Sequence, residues 1–568
     1  MCTENQVNAQ EKKALIVEGA NAVKLTHPAF VSNRVEALKV GKSILGQFYE
    51  NAYLSATIDT LVATDQVFIL KVNPGGIYKW INLSKGNLKE HELNQIDLSS
   101  RLFLNRPFRP TQLSELFERT INYFENNGYP FASVQLDSIE FSEENGLSAA
   151  LKVERNKFYK IDSILIRGKS GVKEAFILQH IELSPGDEFN EQKIKNISTR
   201  IQEIQFLNES KKVEVQYFEE GVKIILYLEK KEASRFDGIL GLLTNEDNGN
   251  IELTGDVDLN LVNSFNRGEL IGFNWRKLQG NSQDLKLKLA YPYLFNTPFG
   301  IDFNFKLFKR DTTFIELNTG LGINYQIRRG EVISVFVTNQ SSSLLSRTAI
   351  IEQANASLPA LGDVTINSFG VAYQIQRFDY QFNPTKGFGL TTSFSVGRKE
   401  LKKISALEEE FPSIYDGVIL NSTQYNGMAN LNYFIPIGSR GTIKFGNQSA
   451  IISSENIYVN ELLRIGGLKI LRGFDEESIN ASAYSIFTLE YRFLLDRNSY
   501  FSVFSDGGYY ENQNVDFELS DTPIGIGAGI SFETNAGIFT FNYAVGKQFD
   551  NPIEFRAAKI HFGFVNLF

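Results

Sequence analysis

The sequence predicts a membrane β-barrel of about sixteen antiparallel strands that follows a set of α+β domains. Residues 14–231 mix helical and strand patterns, whereas from residue 232 onward the chain reads as strands and turns in which apolar and polar residues alternate. The 568-residue chain contains 46 Phe and 23 Tyr but only 14 Pro, a composition that favours uninterrupted strands. These observations predict two structural regions with different folds.

The composition excludes several classes of protein. The net charge is −9 and no basic tract is present, so nucleic acid is a poor partner. Cys2 is the single cysteine; it forms no internal disulfide, and with four scattered His it completes no structural zinc site. No catalytic constellation stands out, so we expect no enzyme, no metal and no cofactor. No apolar run reaches the roughly 18 residues of a membrane helix, but barrel strands carry their apolar residues at every second position.

Residues 1–13 are predicted to be an N-terminal tail, which has no apolar signal core. Cys2 has two interpretations. It is either the acylated cysteine of a lipoprotein whose signal was replaced by Met1, or an incidental thiol in a loose tail, and we prefer the second.

Three α+β domains are predicted before the barrel, at residues 14–78, 79–156 and 157–231. Each is expected to have the order β-α-α-β-β, and the first copy matches this order least well. Short segments recur at about the spacing of one small domain, as Ile77-Tyr78-Lys79 does in Phe158-Tyr159-Lys160. In the second copy, apolar residues from Pro110 onward recur on one helical face, and Gly128 stands where that helix would end.

The barrel is predicted over residues 232–568, where strand after strand of about 9 to 11 residues is aromatic on one face and small or polar on the other. The predicted strands begin near Phe236, Ile251, Leu270, Leu285, Ile301, Ile315, Val332, Ile366, Phe388, Gln424, Thr442, Tyr484, Tyr500, Ile524, Ile538 and Ala558. Two gaps, Leu344 to Val364 and Ser453 to Ala483, are too long for turns. Long loops in an otherwise economical barrel are usually functional or disordered.

The second gap contains Leu471-Arg472-Gly473-Phe474, and the strands after it contain Glu490 and then Phe504-Ser505-Asp506-Gly507-Gly508. In order and separation, these motifs resemble those of the outer-membrane assembly superfamily that includes BamA, TamA and the two-partner secretion transporters. The family combines N-terminal POTRA domains with a sixteen-stranded bacterial surface antigen barrel, and the layout here is closest to TamA-like members. The C-terminus resembles the family's assembly signal at His561, Gly563 and Phe568, with Asn566 departing from it.

The same residues have a physical interpretation of their own. A guanidinium is permanently charged and forks to two carboxylates, so Arg472 on a loop folded into the lumen can be held by Glu490 and Asp506 on adjacent strands. Gly473 permits a tight turn, and Phe474 is expected to pack against the barrel wall. An unrelated surface arginine with two solvated acids is the alternative.

Two other patterns are better explained by structure than by ligand binding. Gly525-x-Gly527-x-Gly529 has period two inside a strand with no helix following, which indicates small lumen-facing residues rather than a phosphate loop. The acidic segment Asn245 to Asn250 lacks the spacing of a calcium loop and is expected to be a hairpin turn.

The resemblance implies a Gram-negative outer-membrane protein with POTRA domains in the periplasm. It also implies that the protein inserts or exports client proteins through a barrel with a lateral seam, near Arg235–Thr244 and Ala558–Phe568. The expected partners are outer-membrane lipid, unfolded barrel or secreted clients, and a periplasmic or inner-membrane assembly partner. The alternative is a two-partner secretion pore that exports one dedicated exoprotein; a passive porin is a third interpretation that leaves Arg472 unexplained.

Overall fold

The computed structural model describes residues 12–19, 21–98, 103–244, 251–277, 282–328, 330–345, 360–380, 383–534 and 537–567. Cys2, the acidic segment 245–250 and Phe568 lie outside the described residues. The chain divides into two compact units. The first comprises Met1–Leu165, Leu183–Ile197 and Val213–Ile225, and the second comprises Ile166–Glu182, Ser198–Lys212 and Leu226–Phe568.

The N-terminal region begins with a four-stranded sheet and one helix. Its elements are β1 (Lys13–Glu18), β2 (Phe30–Val31), α1 (Arg34–Glu50), β3 (Thr57–Ala63) and β4 (Val67–Asn73), with strand order β2-β1-β4-β3. The expected second helix is absent from the described part of this copy. Thr26, which lies between β1 and β2, instead exchanges two hydrogen bonds with the Gln47 side chain of α1, and Pro28 follows it. Proline restricts the residue before it to extended conformations, which opposes a helix here.

The next two copies have the predicted β-α-α-β-β order. Their elements are β5 (Lys79–Ser84), α2 (Glu90–Ile96), α3 (Pro110–Glu125), β6 (Ser133–Phe141), β7 (Gly146–Glu154), β8 (Ile161–Arg167), α4 (Glu174–Ile181), α5 (Glu191–Glu203), β9 (Leu207–Tyr217) and β10 (Val222–Lys230). The two sheets have orders β5-β7-β6 and β8-β10-β9. Gly128 has φ +90°, and a Cβ at that position would lie 2.1 Å from the Phe158 ring, so glycine serves both the turn and the packing.

The rest of the chain forms an antiparallel barrel. Its elements are β11 (Arg235–Thr244), β12 (Ile251–Val262), β13 (Leu270–Lys277), β14 (Gln283–Tyr291), β15 (Phe299–Arg310), β16 (Phe314–Arg328), β17 (Glu331–Leu344), β18 (Asp363–Phe378), β19 (Gly387–Lys402), α6 (Ser405–Glu410), β20 (Asn421–Ile437), β21 (Gly441–Ser453), β22 (Leu463–Ile465), β23 (Ile479–Ala481), β24 (Ala483–Leu494), β25 (Tyr500–Gln513), β26 (Glu518–Asp521), β27 (Ile524–Thr534), β28 (Gly537–Lys547) and β29 (Lys559–Leu567). Strands β22 and β23 pair in the described residues only with each other, and the short β26 pairs with the end of β25, beyond the part of β25 that pairs with β27. The remaining sixteen strands form the barrel, as predicted, and each begins within three residues of its predicted start.

Side chains alternate between the two faces of the barrel wall. On β24, Phe487, Leu489 and Tyr491 are exposed on the outside, whereas Glu490 and Arg492 are buried on the inside. An outer face of exposed aromatic and aliphatic residues is what acyl chains require. The inner face is therefore free to carry charge.

The connections alternate between two ends of the barrel. We call the end at which the chain enters β11 the entry end and the opposite end the far end. The far end carries the two predicted long loops, although residues 346–359 of the first lie outside the described ranges, and a third long connection, residues 403–420, that was not predicted.

The third connection contains α6 and packs on lumen-facing residues of the neighbouring strands. We call this cluster the far-end core; its buried members are Phe308, Phe314, Leu344, Val364, Ile366, Leu401, Ile404, Leu407, Tyr415 and Tyr458. Apolar alternation along strands does not show which residues of a connection pack inward, so this connection was not predicted. Among the described helices, none has the length and apolar character needed to span a membrane.

Candidate functional site in the barrel lumen

Residues 454–482, which connect β21 to β24, form what we call the inner loop. The hairpin β22–β23 pairs Leu463 with Ala481 at its base. The loop packs on the inner wall through a small apolar cluster, whose buried members are Ile465, Leu471, Ile479, Ala481, Ile486 and Tyr510. Leu471 is fully buried in this cluster, so the residue beside it, Arg472, is held at a fixed place against the wall.

Arg472 lies at the tip of the inner loop and contacts both predicted carboxylates. Its Nε donates to Asp506 Oδ2 at 2.6 Å and its Nη2 to Asp506 Oδ1 at 2.8 Å, a two-pronged contact, while Nη1 donates to Glu490 Oε2 at 2.7 Å. The backbone N–H of Arg472 also donates to Asp506, at 3.1 Å. Charge-assisted bonds of this kind are stronger than neutral ones and fix orientation.

The strand residues around the carboxylates complete the site. Phe504 is buried on the lumen face of β25, and the Arg472 Cζ lies 3.4 Å from its ring centroid, a cation–π contact. Thr488 Oγ1 donates to Asp506 Oδ1 at 2.9 Å. Thr488 is paired with Asp506 and Glu490 with Phe504 in the register of β24 and β25, which explains how two short motifs on adjacent strands meet at one arginine.

Glycines allow the loop tip to approach the wall closely. Gly473 has φ +95°, and a Cβ there would lie 2.7 Å from the Val545 carbonyl carbon. On the wall, a Cβ at Gly525 would lie 1.9 Å from the Arg472 carbonyl oxygen, and a Cβ at Gly546 would lie 2.8 Å from the Phe474 ring. The lumen-facing Gly525 therefore makes room for the loop, and Phe474 packs against β28.

Gly508, the last residue of the strand motif, has a different neighbour. A Cβ at Gly508 would lie 1.9 Å from the carbonyl oxygen of Ser485 on β24. Gly508 therefore permits close approach of two wall strands rather than contact with the inner loop.

Two charged residues near the site were not predicted. Arg492 Nε donates to Glu490 Oε1 at 2.6 Å and its Nη1 to Asn383 Oδ1 at 2.8 Å, so Glu490 accepts from two guanidinium groups. Lys444 is paired with Glu490 in the register of β21 and β24. Arg492 lies two residues after Glu490 on the same face of one strand, so its place near the site could have been predicted from the sequence. The position of Lys444 depends on the register between two strands, which the sequence does not show.

The last strand carries the predicted assembly signal. Gly563 faces the lumen, where its Cβ position lies 3.9 Å from Leu468 Cδ2 of the inner loop, and His561 pairs with Asn542 of β28. Phe568, the last residue of the predicted signal, lies outside the described residues. Within the described ranges, no group of three or more His, Cys, Asp or Glu side chains is arranged to hold a metal ion.

The barrel closes through a short seam between its first and last strands. In the described part of these strands, β11 pairs with β29 only at Arg235–Leu567 and Phe236–Asn566. By contrast, β11 pairs with β12 over its entire length, from Arg235–Asn260 to Thr244–Ile251. The seam is therefore the least hydrogen-bonded junction of the wall.

Comparison with known proteins agrees with this architecture. The chain is similar in structure to CdiB from Escherichia coli, with 13% identity, a TM-score of 0.54, and coverage of 93% of this chain and 97% of that chain. It is also similar to CdiB from Acinetobacter baumannii, with 12% identity, a TM-score of 0.54, and coverage of 86% of this chain and 89% of that chain. A third match is BamA from Haemophilus ducreyi lacking POTRA domains 1-3, with 15% identity, a TM-score of 0.45, and coverage of 85% of this chain and 99% of that chain. A search of curated protein sequences found no significant match. The Omp85 superfamily domain matches residues 263–566, more than half of the chain. The chain therefore belongs to the Omp85 superfamily.

Proposed function

We propose that this protein inserts client proteins into the outer membrane through the seam between β11 and β29. The observation that carries the proposal is the sparse pairing of these two strands, limited in the described residues to Arg235–Leu567 and Phe236–Asn566. A backbone hydrogen bond contributes on net about 0.5 to 1.5 kcal/mol, so opening two residue pairs costs far less than opening any other junction of the wall.

An open seam presents strand edges whose backbone donors and acceptors lack partners. An incoming strand of a client satisfies these groups by adding to the edge, as extended peptides do in β-augmentation. The reaction needs no covalent step. Arg472, with Glu490 and Asp506, would hold the inner loop in place while the seam strands separate.

The N-terminal α+β domains are proposed to capture clients in the periplasm. As POTRA-like modules, each ends its sheet in an edge strand, β3 in the first, β6 in the second and β9 in the third. These edges offer the same kind of strand addition to an unfolded client before it reaches the barrel. A periplasmic or inner-membrane partner is expected to work with these domains.

Export of a dedicated exoprotein through the lumen is the alternative. It requires a continuous route along the barrel axis. The far-end core fills the lumen face at the far ends of β15 to β19 with buried apolar side chains, which favours the seam over the axis.

A disulfide across the seam tests the proposal. The test variant carries Phe236→Cys and Asn566→Cys, with Cys2 replaced by serine. We expect it to form a disulfide, because the Cα atoms of directly opposed residues in antiparallel strands lie about 4.5 to 5.5 Å apart. Oxidation should abolish insertion of a client barrel into proteoliposomes, and reduction should restore it. The matched control is Leu317→Cys with Ser341→Cys, an opposed pair on β16 and β17. Insertion that continues through a locked seam would rule out the proposed route.

Depletion of the protein separates insertion from export. Broad loss of barrel proteins from the outer membrane is the expected result. Loss of a single secreted protein, with other barrels unchanged, would instead support the two-partner secretion pore.

A further inference from the structure

Three successive acidic residues of the inner loop, Asp475, Glu476 and Glu477, contact strands on both sides of the seam. We propose that this acidic triad is a clasp that positions the seam strands from inside the lumen, and that it releases β29 first when the seam opens. The inference rests on the proposed function, since it concerns how the same seam is held closed.

One side of the clasp is partly buried. Arg276 on β13, the third barrel strand, donates from Nη2 to Glu477 Oε1 at 2.6 Å and to Asp284 Oδ2 on β14, also at 2.6 Å. Its Nη1 lies 3.8 Å from Glu476 Oε1. The side chains of Arg276 and Glu477 are 11% and 26% exposed, so this contact is partly shielded from water and salt, whereas Glu476 is 41% exposed.

The other side of the clasp is open to solvent. Lys559, the first residue of β29, places its Nζ 2.7 Å from Asp475 Oδ1 and 2.8 Å from Oδ2, yet the two side chains are 37% and 69% exposed. Further along β29, Gly563 faces Leu468 of the inner loop. In the described part of β29, the ion pair that attaches the last strand to the loop is therefore an exposed one.

The loop itself folds the triad into place. Gly466 and Gly467 have φ +117° and +88°, and a Cβ at Gly467 would lie 1.7 Å from Glu476 Oε2. That carboxylate accepts from the Leu468 N–H at 3.2 Å. The triad is thus packed back against the glycine pair, with Glu476 and Glu477 facing Arg276 and Asp475 facing Lys559.

The difference between the two sides sets the order of release. Parting Glu477 from Arg276 leaves the largely buried guanidinium with Asp284 as its remaining close partner, whereas the exposed Lys559–Asp475 pair gains little from its contact and loses little when water replaces it. We therefore expect the inner loop to stay with β13, β24 and β25 while β29 leaves the loop. The departing strand keeps its ladder with β28, which runs from Ile538–Val565 to Ala544–Lys559.

Charge reversal tests the clasp in the full-length chain. In the seam-cysteine variant described above, Lys559→Asp or Asp475→Lys should lower the rate of disulfide formation by about two- to fivefold, the scale of one exposed ion pair. The combined swap, Asp475→Lys with Lys559→Asp, should return the rate to that of the parent, and the conservative Asp475→Glu should change it little. The control is Lys403→Asp, which breaks an exposed ion pair of similar burial with Glu408 in the far-end connection.

The outcomes distinguish the clasp from the proposed function. Unchanged cross-linking in both single variants, or a swap that does not restore the rate, would overturn the clasp. Client insertion is measured separately in the same proteoliposomes. A seam that responds to charge reversal but still inserts clients when locked would overturn the insertion route and leave the clasp standing.

Discussion

At the scale of single residues, Arg472 connects the tip of the inner loop to two wall strands. The guanidinium and both carboxylates are largely buried, and each partner has further hydrogen bonds. Burying charges is favourable only when every group is paired. The cluster therefore stabilises the barrel only while all of its charged groups keep their partners.

Arg472→Ala is expected to destabilise the barrel by about 3 to 5 kcal/mol, because it leaves two buried carboxylates without their shared partner. Arg472→Lys should recover only part of this loss, since an ammonium cannot fork to Asp506 and reach Glu490 together. The measurement is the temperature at which the folded barrel loses its faster mobility on unboiled gels. Arg398→Ala, at an exposed arginine on β19, is the control. Equal mobility for the Arg472 and Arg398 variants would contradict a role for Arg472 in anchoring the loop.

The core of this cluster could be anticipated from the chain because its members lie in short motifs of fixed order. The structure brings Arg472, Glu490 and Asp506 together at hydrogen-bonding distance. Asn383 could not be anticipated, since it lies more than a hundred residues before Arg492, to which it is hydrogen-bonded. Such a contact depends on barrel closure, and no local pattern encodes it.

At the scale of elements, alternation located the barrel strands but not the connections between them. A strand with one face in lipid has a strict two-residue period, which is why the sixteen predicted starts agree with the structure. The third long connection was not predicted because strand alternation does not show that Ile404 and Leu407 pack into the far-end core. Similarly, the first α+β domain has one described helix where two were expected.

The start of helix α2 should be sensitive to acid. Burial acts to raise the pKa of Glu92, but the Lys89 N–H, which donates at 2.7 Å, and the Arg155 guanidinium at 2.8 Å outweigh it, and the pKa is lowered. A depressed folded-state pKa contributes stability above the unfolded value, about 4.3 for Glu, and this contribution is lost as the pH falls through the folded value.

We therefore expect the amide protection factors of α2 in the full-length protein to fall on acidification below the unfolded-state pKa of Glu, as Glu92 protonates. Glu92→Gln should show weaker protection at neutral pH and little further loss in acid, as measured by hydrogen exchange with mass spectrometry. Glu90→Gln, at a neighbouring exposed position, should behave like the parent. If amide protection of α2 falls by the same amount on acidification in Glu92→Gln and in the parent, the effect belongs to another titratable group.

At the scale of the whole molecule, the division into α+β domains and barrel follows from composition and periodicity, whereas the weak seam does not. Pairing between the first and last barrel strands joins residues over three hundred positions apart, and its extent depends on how all sixteen strands tilt and stagger. The contacts of the acidic triad cannot be predicted from the sequence either. Three successive acidic residues in a loop are expected to be solvated unless the loop is known to lie inside the barrel. The sequence therefore predicts the domains and strands of this molecule better than the contacts between distant residues that close the barrel.

The far end of the barrel is expected to be closed to solutes by the far-end core. Leu407 of α6 is fully buried there, and Tyr458 of the inner loop joins the same cluster, so two connections exclude water together. Leu407→Asp should open this region, because an unpaired carboxylate cannot remain in an apolar cluster, and the conductance of the barrel in planar bilayers should rise. Ile419→Asp, at an exposed position of the same connection, is the matched control. Measuring both variants with the seam disulfide closed ensures that the current passes along the lumen, and equal conductance in the two would show that the far-end core does not seal it.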